Sequence, residues 1–186
     1  MSILSRREAI KKVALIVGGS LVLPDILKAW GNLTIENPDF RFNPADEQLI
    51  ADIAEQIVPA TSTPGAKAAG TDKFIQKMVA DCYEPADRDA FMNWLAGVDA
   101  YAKKNFGGKG FSACTAAQQV EILKYFEKEY HADKSGKPGW GKIKDLTVTG
   151  FFTSEIGCEQ VLRYEAVPGR YDGAFPYKKG DKAWVN

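Results

Sequence analysis

The chain has 186 residues, 45% hydrophobic and 26% charged, a size and balance that fit one globular domain with extensions. Its 24 basic residues match 24 acidic ones, so no net field draws it to nucleic acid or an anionic membrane. One histidine and three widely spaced cysteines, with no Cys-x-x-Cys pair, argue against a zinc or iron–sulfur site held by this chain alone.

Residues 1–30 read as a targeting segment. The basic stretch Ser5–Lys12, with Arg6 and Arg7 side by side, precedes the apolar run Val13–Leu23, which Pro24 closes. That layout is a secretory signal, and the paired arginines mark the twin-arginine type. The run is shorter than the roughly twenty residues of a spanning helix. Gly18 and Gly19 also weaken a buried N-terminal helix. No clean Ala-x-Ala site precedes Trp30, so an uncleaved leader stands beside a cleaved one as an expectation. Twin-arginine export, to the periplasm, moves proteins already folded.

Residues 31–43 read as linker, and residues 44–162 as a helical domain. Asn43-Pro44 is a helix start with Asp46 and Glu47 near the positive end of the dipole. Leu49, Ile50, Ile53, Ile57 and Val58 recur at helical spacing. Pro59 and the loop to Ala66 end this helix. The loop lacks the order of a phosphate-binding P-loop and reads as a structural turn. Thr71 is expected to cap a second helix carrying Phe74, Ile75, Met78, Val79 and Cys82. Glu84-Pro85 opens a third, with Phe91, Trp94, Leu95, Val98 and Tyr101 as its apolar stripe.

Phe106–Gly110 is a break whose glycines do not fit a dinucleotide fingerprint. Thr115 to Gln118 is a capping box for a fourth helix, anchored by Val120, Ile122, Leu123, Phe126 and Tyr130. Ala132–Gly141 reads as a polar loop, and a fifth helix is expected from Ile143 to about Leu162. Beyond Arg163 the periodicity stops. The predicted fold is all-α: a small bundle of about five helices with an irregular C-terminal arm over residues 163–186.

Candidate chemistry is sparse. His131 sits at a helix end, where a cation complements the dipole. Asp46, Glu47, Asp52, Glu55, Glu121, Glu127 and Glu129 lie at the spacing of solvated helix faces. No catalytic, cofactor or metal residues emerge from these patterns. The arm differs: Arg163, Tyr164, Pro168, Gly169, Arg170, Tyr171 and Asp172 crowd arginine, tyrosine and turn residues together. Arginine and tyrosine are the residues of interface hot spots, so this group is the expected partner interface.

Four segments, Ile57–Ala66, Asp81–Tyr83, Phe152–Gly157 and Tyr164–Gly173, occur in an order that resembles the gluconate 2-dehydrogenase subunit 3 family, over roughly residues 45 to 180. The resemblance implies a non-catalytic small subunit for a large FAD-containing subunit of the glucose–methanol–choline type, which oxidises sugars or sugar acids. Electrons would pass to a cytochrome c subunit or domain carrying haem c. The small subunit would carry the large one through the twin-arginine translocon, and any membrane contact would come through the complex or an uncleaved leader. Ala174 stands where relatives are expected to have cysteine. That leaves Cys82 and Cys158 as candidates for a disulfide. Two readings of other classes stand beside this one: an independent exported enzyme using helix carboxylates, and a periplasmic scaffold or binding module without a redox partner.

Overall fold

In the computed structural model, which describes residues 37, 40–133, 138–167, 169 and 172–185, Asn43 caps the first helix as expected. Its side chain accepts the Asp46 amide at 2.9 Å, and helix α1 runs Pro44–Ile57. Helix α2 is Thr71–Cys82, α3 is Pro85–Asn105, α4 is Ala116–Ala132 and α5 is Pro138–Phe152. Among the described residues the only strands are β1 (Arg163–Tyr164) and β2 (Trp184–Val185). The all-α expectation therefore holds for the domain. The arm contains a feature that it lacked.

Periodicity delivers the core. Ile50 and Ile53 of α1, Ile75 and Val79 of α2, Phe91, Leu95 and Val98 of α3, Ile122 of α4 and Ile143 of α5 are all fully buried. In the segment read as linker, Phe42 is buried with them. The Asn37 amide donates to Asp81 and its side chain to the Ala80 carbonyl, at 2.8 and 2.9 Å. Fully burying one such aliphatic side chain stabilises by about 1.5–3 kcal/mol, so the stripes, rather than helix propensity, hold the bundle together.

Helix α5 is central, because it packs against each of the other four helices. Its sequence allows this closeness through residues that lack a side chain. A Cβ on Gly139 would overlap the Trp94 ring of α3. One on Gly141 would lie 2.8 Å from the Tyr130 hydroxyl of α4, and one on Gly150 would lie 2.5 Å from the Phe74 ring of α2. Gly139 and Gly141 had argued for a loop on propensity. Packing overrides them, and the helix begins five residues earlier than expected.

Two other boundaries depart from the sequence reading. Thr71 is the first residue of α2 and not its cap. Gly70, at φ 67°, takes the cap position, and Thr71 is buried with its hydroxyl unpartnered. The turn from Ala66 to Gly70 needs a left-handed residue at its end, which glycine adopts without penalty. Helix α5 ends at Phe152, ten residues before the expected limit, for reasons taken up below. At Thr115 the capping box forms as read, with both reciprocal hydrogen bonds.

Asp99 ties α3 to a 3-10 turn at Phe111–Ala113. It accepts the Phe111 amide at 2.9 Å and pairs with Lys103 at 2.6 Å. Burial pushes its carboxyl pKa up, but the Lys103 and Phe111 hydrogen bonds and the Lys103 charge outweigh this and hold it below the usual value. A depressed carboxylate contributes stability above its unfolded pKa, and that contribution is lost as pH falls through the folded pKa. Asp99→Ala is expected to cost about 1–2 kcal/mol at neutral pH. Its gap to the parent chain should narrow as pH falls below the ordinary carboxylate range, as read from urea midpoints at neutral and acid pH. The glycine argument predicts opposite signs at two sites. Gly150→Ala should destabilise by about 1–3 kcal/mol. Gly97→Ala, mid-helix with open space around the added carbon, should stabilise by about 0.5–1 kcal/mol.

Candidate functional site

The end of α5 is built from hydroxyls. Thr153 Oγ1 donates back to the Thr149 carbonyl at 2.7 Å, and Ser154 Oγ donates to the Phe151 carbonyl at 2.6 Å. Ser154 Oγ in turn accepts the Gly157 amide at 3.1 Å. The Thr149 carbonyl still accepts the Thr153 amide at 3.0 Å, but the Phe151 carbonyl is taken by the hydroxyl and amide of Ser154, and a hydroxyl that captures a helix carbonyl competes with the i→i−4 ladder. Gly157 lies against the Phe151 carbonyl so closely that a Cβ would collide with it. The chain then makes one π-helical turn, Gly157–Val161, and leaves as β1. Phe151 is buried, whereas Phe152 is exposed.

The arm turns back on itself. Strand β1 pairs with β2 in parallel, Arg163 opposite Trp184 and Tyr164 opposite Val185. The Arg163 amide donates to Ala183 O at 2.8 Å and the Glu165 amide to Val185 O at 3.0 Å. Lys182 Nζ reaches the Gln160 carbonyl at 2.6 Å. The result is a closed loop beside the π turn. Its concave side encloses about 820 Å³ and is open to solvent, lined by Tyr164, Phe175, Tyr177 and Trp184 among others.

This is the apolar part of the surface. Of the exposed large hydrophobic residues described, all but Tyr125 lie between Val148 and Trp184; Val167 and Tyr177 are 81% and 75% exposed. Of these, Tyr164, Phe175, Tyr177 and Trp184 share the concavity, and exposed apolar groups brought together in this way mark interaction sites. The group expected from the sequence divides here. Arg163 and Tyr164 form β1, Gly169 and Asp172 lie in the loop, and Pro168, Arg170 and Tyr171 fall outside the described residues. So do Arg6 and Arg7. Phe175 and Trp184, which meet edge to face at 5.4 Å, had not been singled out. A strand pair two residues long, with its halves so far apart in sequence, leaves no alternation to read.

The other segments singled out by sequence have local roles. Glu55 accepts the amides of Ala60 at 3.0 Å and Lys67 at 2.9 Å. A carboxylate of the chain itself thus takes two of the amide donors around this loop. Asp52 pairs with Lys67 at 2.5 Å, Glu127 with Lys144 at 2.7 Å, and Glu129 accepts the Tyr125 hydroxyl at 2.7 Å. These helix carboxylates are engaged in holding the fold. Cys82 is exposed at the end of α2, Cys158 is half-buried in the π turn, Cys114 is buried, and all three thiols are free. Among the described residues no three His, Cys, Asp or Glu side chains converge as a metal site, and no helix is long and apolar enough to cross a membrane.

Glu55→Ala would leave the Ala60 and Lys67 amides without their acceptor. It is expected to lower stability by about 1–3 kcal/mol and to open the 58–67 loop to proteolysis, both read from a urea curve and a timed protease digest.

A family model described as gluconate 2-dehydrogenase subunit 3 matches residues 44–169. That span covers all five helices, the π turn and β1, and stops short of β2. No curated protein matches the chain, and no solved structure does.

Proposed function

This chain belongs to the gluconate 2-dehydrogenase subunit 3 family, and from that premise we propose that it is the small, non-catalytic subunit of a periplasmic FAD-dependent sugar or sugar-acid dehydrogenase. Membership makes it an accessory subunit of a dehydrogenase complex. In the proposed reading it stabilises the large flavoprotein subunit and supplies a twin-arginine export signal through Arg6 and Arg7. Flavin is then held by the large subunit, and haem c by a cytochrome that accepts the electrons.

The observation that carries the reading is the family match across the whole helical domain. Two further features support it. The exposed apolar side chains gather on one stretch, from Val148 to Trp184, where an obligate partner would cover them. Three of the helix carboxylates available to an independent enzyme, Asp52, Glu55 and Glu127, are engaged in ion pairs or amide hydrogen bonds within the bundle. The leader also fits, since a flavoprotein folded around its cofactor needs an export route for folded proteins.

Co-expression tests the proposal. The flavoprotein subunit made with this chain should be recovered, active, from the periplasm. Arg6→Lys with Arg7→Lys should leave both subunits together in the cytoplasm. Full periplasmic dehydrogenase activity from the large subunit expressed without this chain would refute it.

A further inference from the structure

Arg163 has an unusual setting within the closed loop. Its guanidinium carbon lies 3.7 Å from the centre of the Trp184 ring and 5.7 Å from that of Phe175. The backbone on either side is fixed by the β1–β2 pairing, which sets Arg163 directly opposite Trp184. The group is therefore held by its face. Stacking of this kind occupies the π surface of a guanidinium and leaves the N–H groups at its edge for hydrogen bonding. None of the described hydrogen bonds or ion pairs uses the Arg163 side chain, although it borders the 820 Å³ concavity.

The neighbouring charges are differently placed. Lys182 Nζ is spent on the Gln160 carbonyl, and Asp181 accepts the Lys178 amide at 2.8 Å. Glu159, one turn before Arg163, also borders the concavity and forms no ion pair with it in the structure. Arg163 is thus a cation with an open donor edge, held flat against an aromatic platform among the apolar walls of Tyr164, Phe175 and Tyr177. Its fork of parallel donors matches the two oxygens of a carboxylate. The stack has already fixed the orientation that binding would otherwise have to impose.

We propose that the Arg163–Trp184 stack is a carboxylate receptor whose occupant is an acidic side chain on the surface of the flavoprotein subunit. The choice of occupant rests on the docking role proposed above and on the match between a carboxylate and the donor edge of Arg163, which no hydrogen bond or ion pair among the described residues engages, whereas Lys182 already donates to the Gln160 carbonyl. In this arrangement Trp184 is a positioning residue and Arg163 makes the contact.

The test is a binding titration of the full chain against the purified flavoprotein subunit, with circular dichroism and a urea midpoint as controls on folding. Arg163→Lys keeps the charge but removes the planar fork, and Trp184→Ala removes the platform. Each is expected to weaken capture by about tenfold or more. The double variant should be little weaker than the worse single one, because both disable the same contact. Glu159→Ala, which removes the nearest internal carboxylate, should leave capture unchanged or tighten it. If the parent chain captures the flavoprotein and both single variants do so equally well, the receptor is refuted while the docking role stands. If the parent chain captures none, the docking role fails and takes the receptor with it. Saturable binding of sodium gluconate to the isolated chain, lost in Arg163→Lys, would overturn the protein occupant in favour of a free sugar acid.

Discussion

Where α5 carries hydrogen in place of a side chain, rings from three other helices come down onto its backbone: Trp94 from α3, Tyr130 from α4 and Phe74 from α2. Each ring brings a large contact area, and each sets the distance at which its helix can lie. The bundle is in this sense built inward onto one weakly helical segment, whose glycines and β-branched Thr147, Val148 and Thr149 would not hold a helix in isolation. Trp94 continues the packing outward by meeting Phe126 edge to face at 5.8 Å and Trp140 at 6.5 Å. The position of α5 then determines where the chain emerges at Phe152, and so where the C-terminal loop is presented.

Much of this could be read from the residues. The four apolar stripes of α1 to α4 name the core almost residue by residue, because amphipathic spacing is a direct record of which face is buried. Caps at Asn43 and Thr115 were equally legible, since each is a local hydrogen bond between residues three apart. The failures differ in source. The start of α5 depends on rings that lie across the fold, which a window along the chain does not contain, whereas the cap at Gly70 and the end at Phe152 are set by local backbone and hydroxyl geometry that apolar periodicity does not record. Gly139 reads as a helix breaker until Trp94 occupies its empty space.

For the candidate site the balance is reversed. Composition located the arm, since arginine and tyrosine beside turn residues are visible in any register. Its geometry was hidden, because β1 and β2 are two residues each and their pairing is parallel. Arg163 could therefore be singled out from the sequence, but the Trp184 ring beneath it could not. The segments that carry the family resemblance show a related pattern. Glu55 with Ala60 and Lys67, Asp81 with Asn37, and Ser154 with Gly157 each sit where the backbone changes direction. Each fixes that change through a side chain bonded to the main chain, so these motifs encode turns rather than chemistry.

The closure of the C-terminal loop sets up a thermodynamic coupling. Bringing together the ends of a segment of about twenty residues costs roughly 2.7 kcal/mol in chain entropy plus a constant. Against this stand two amide hydrogen bonds at β1, of about 1 kcal/mol each net, and the Arg163–Trp184 stack at about 0.5–1 kcal/mol. These contacts stand against that cost, so the strand pair and the stack together set how completely the loop is closed. Any surface that fits only the closed loop draws part of its binding free energy into completing it, and its apparent affinity scales with the closed fraction. The strand pair therefore acts as a tuning element: one more or one fewer backbone bond between β1 and β2 resets how tightly the whole arm can be held, without altering a single residue at the point of contact.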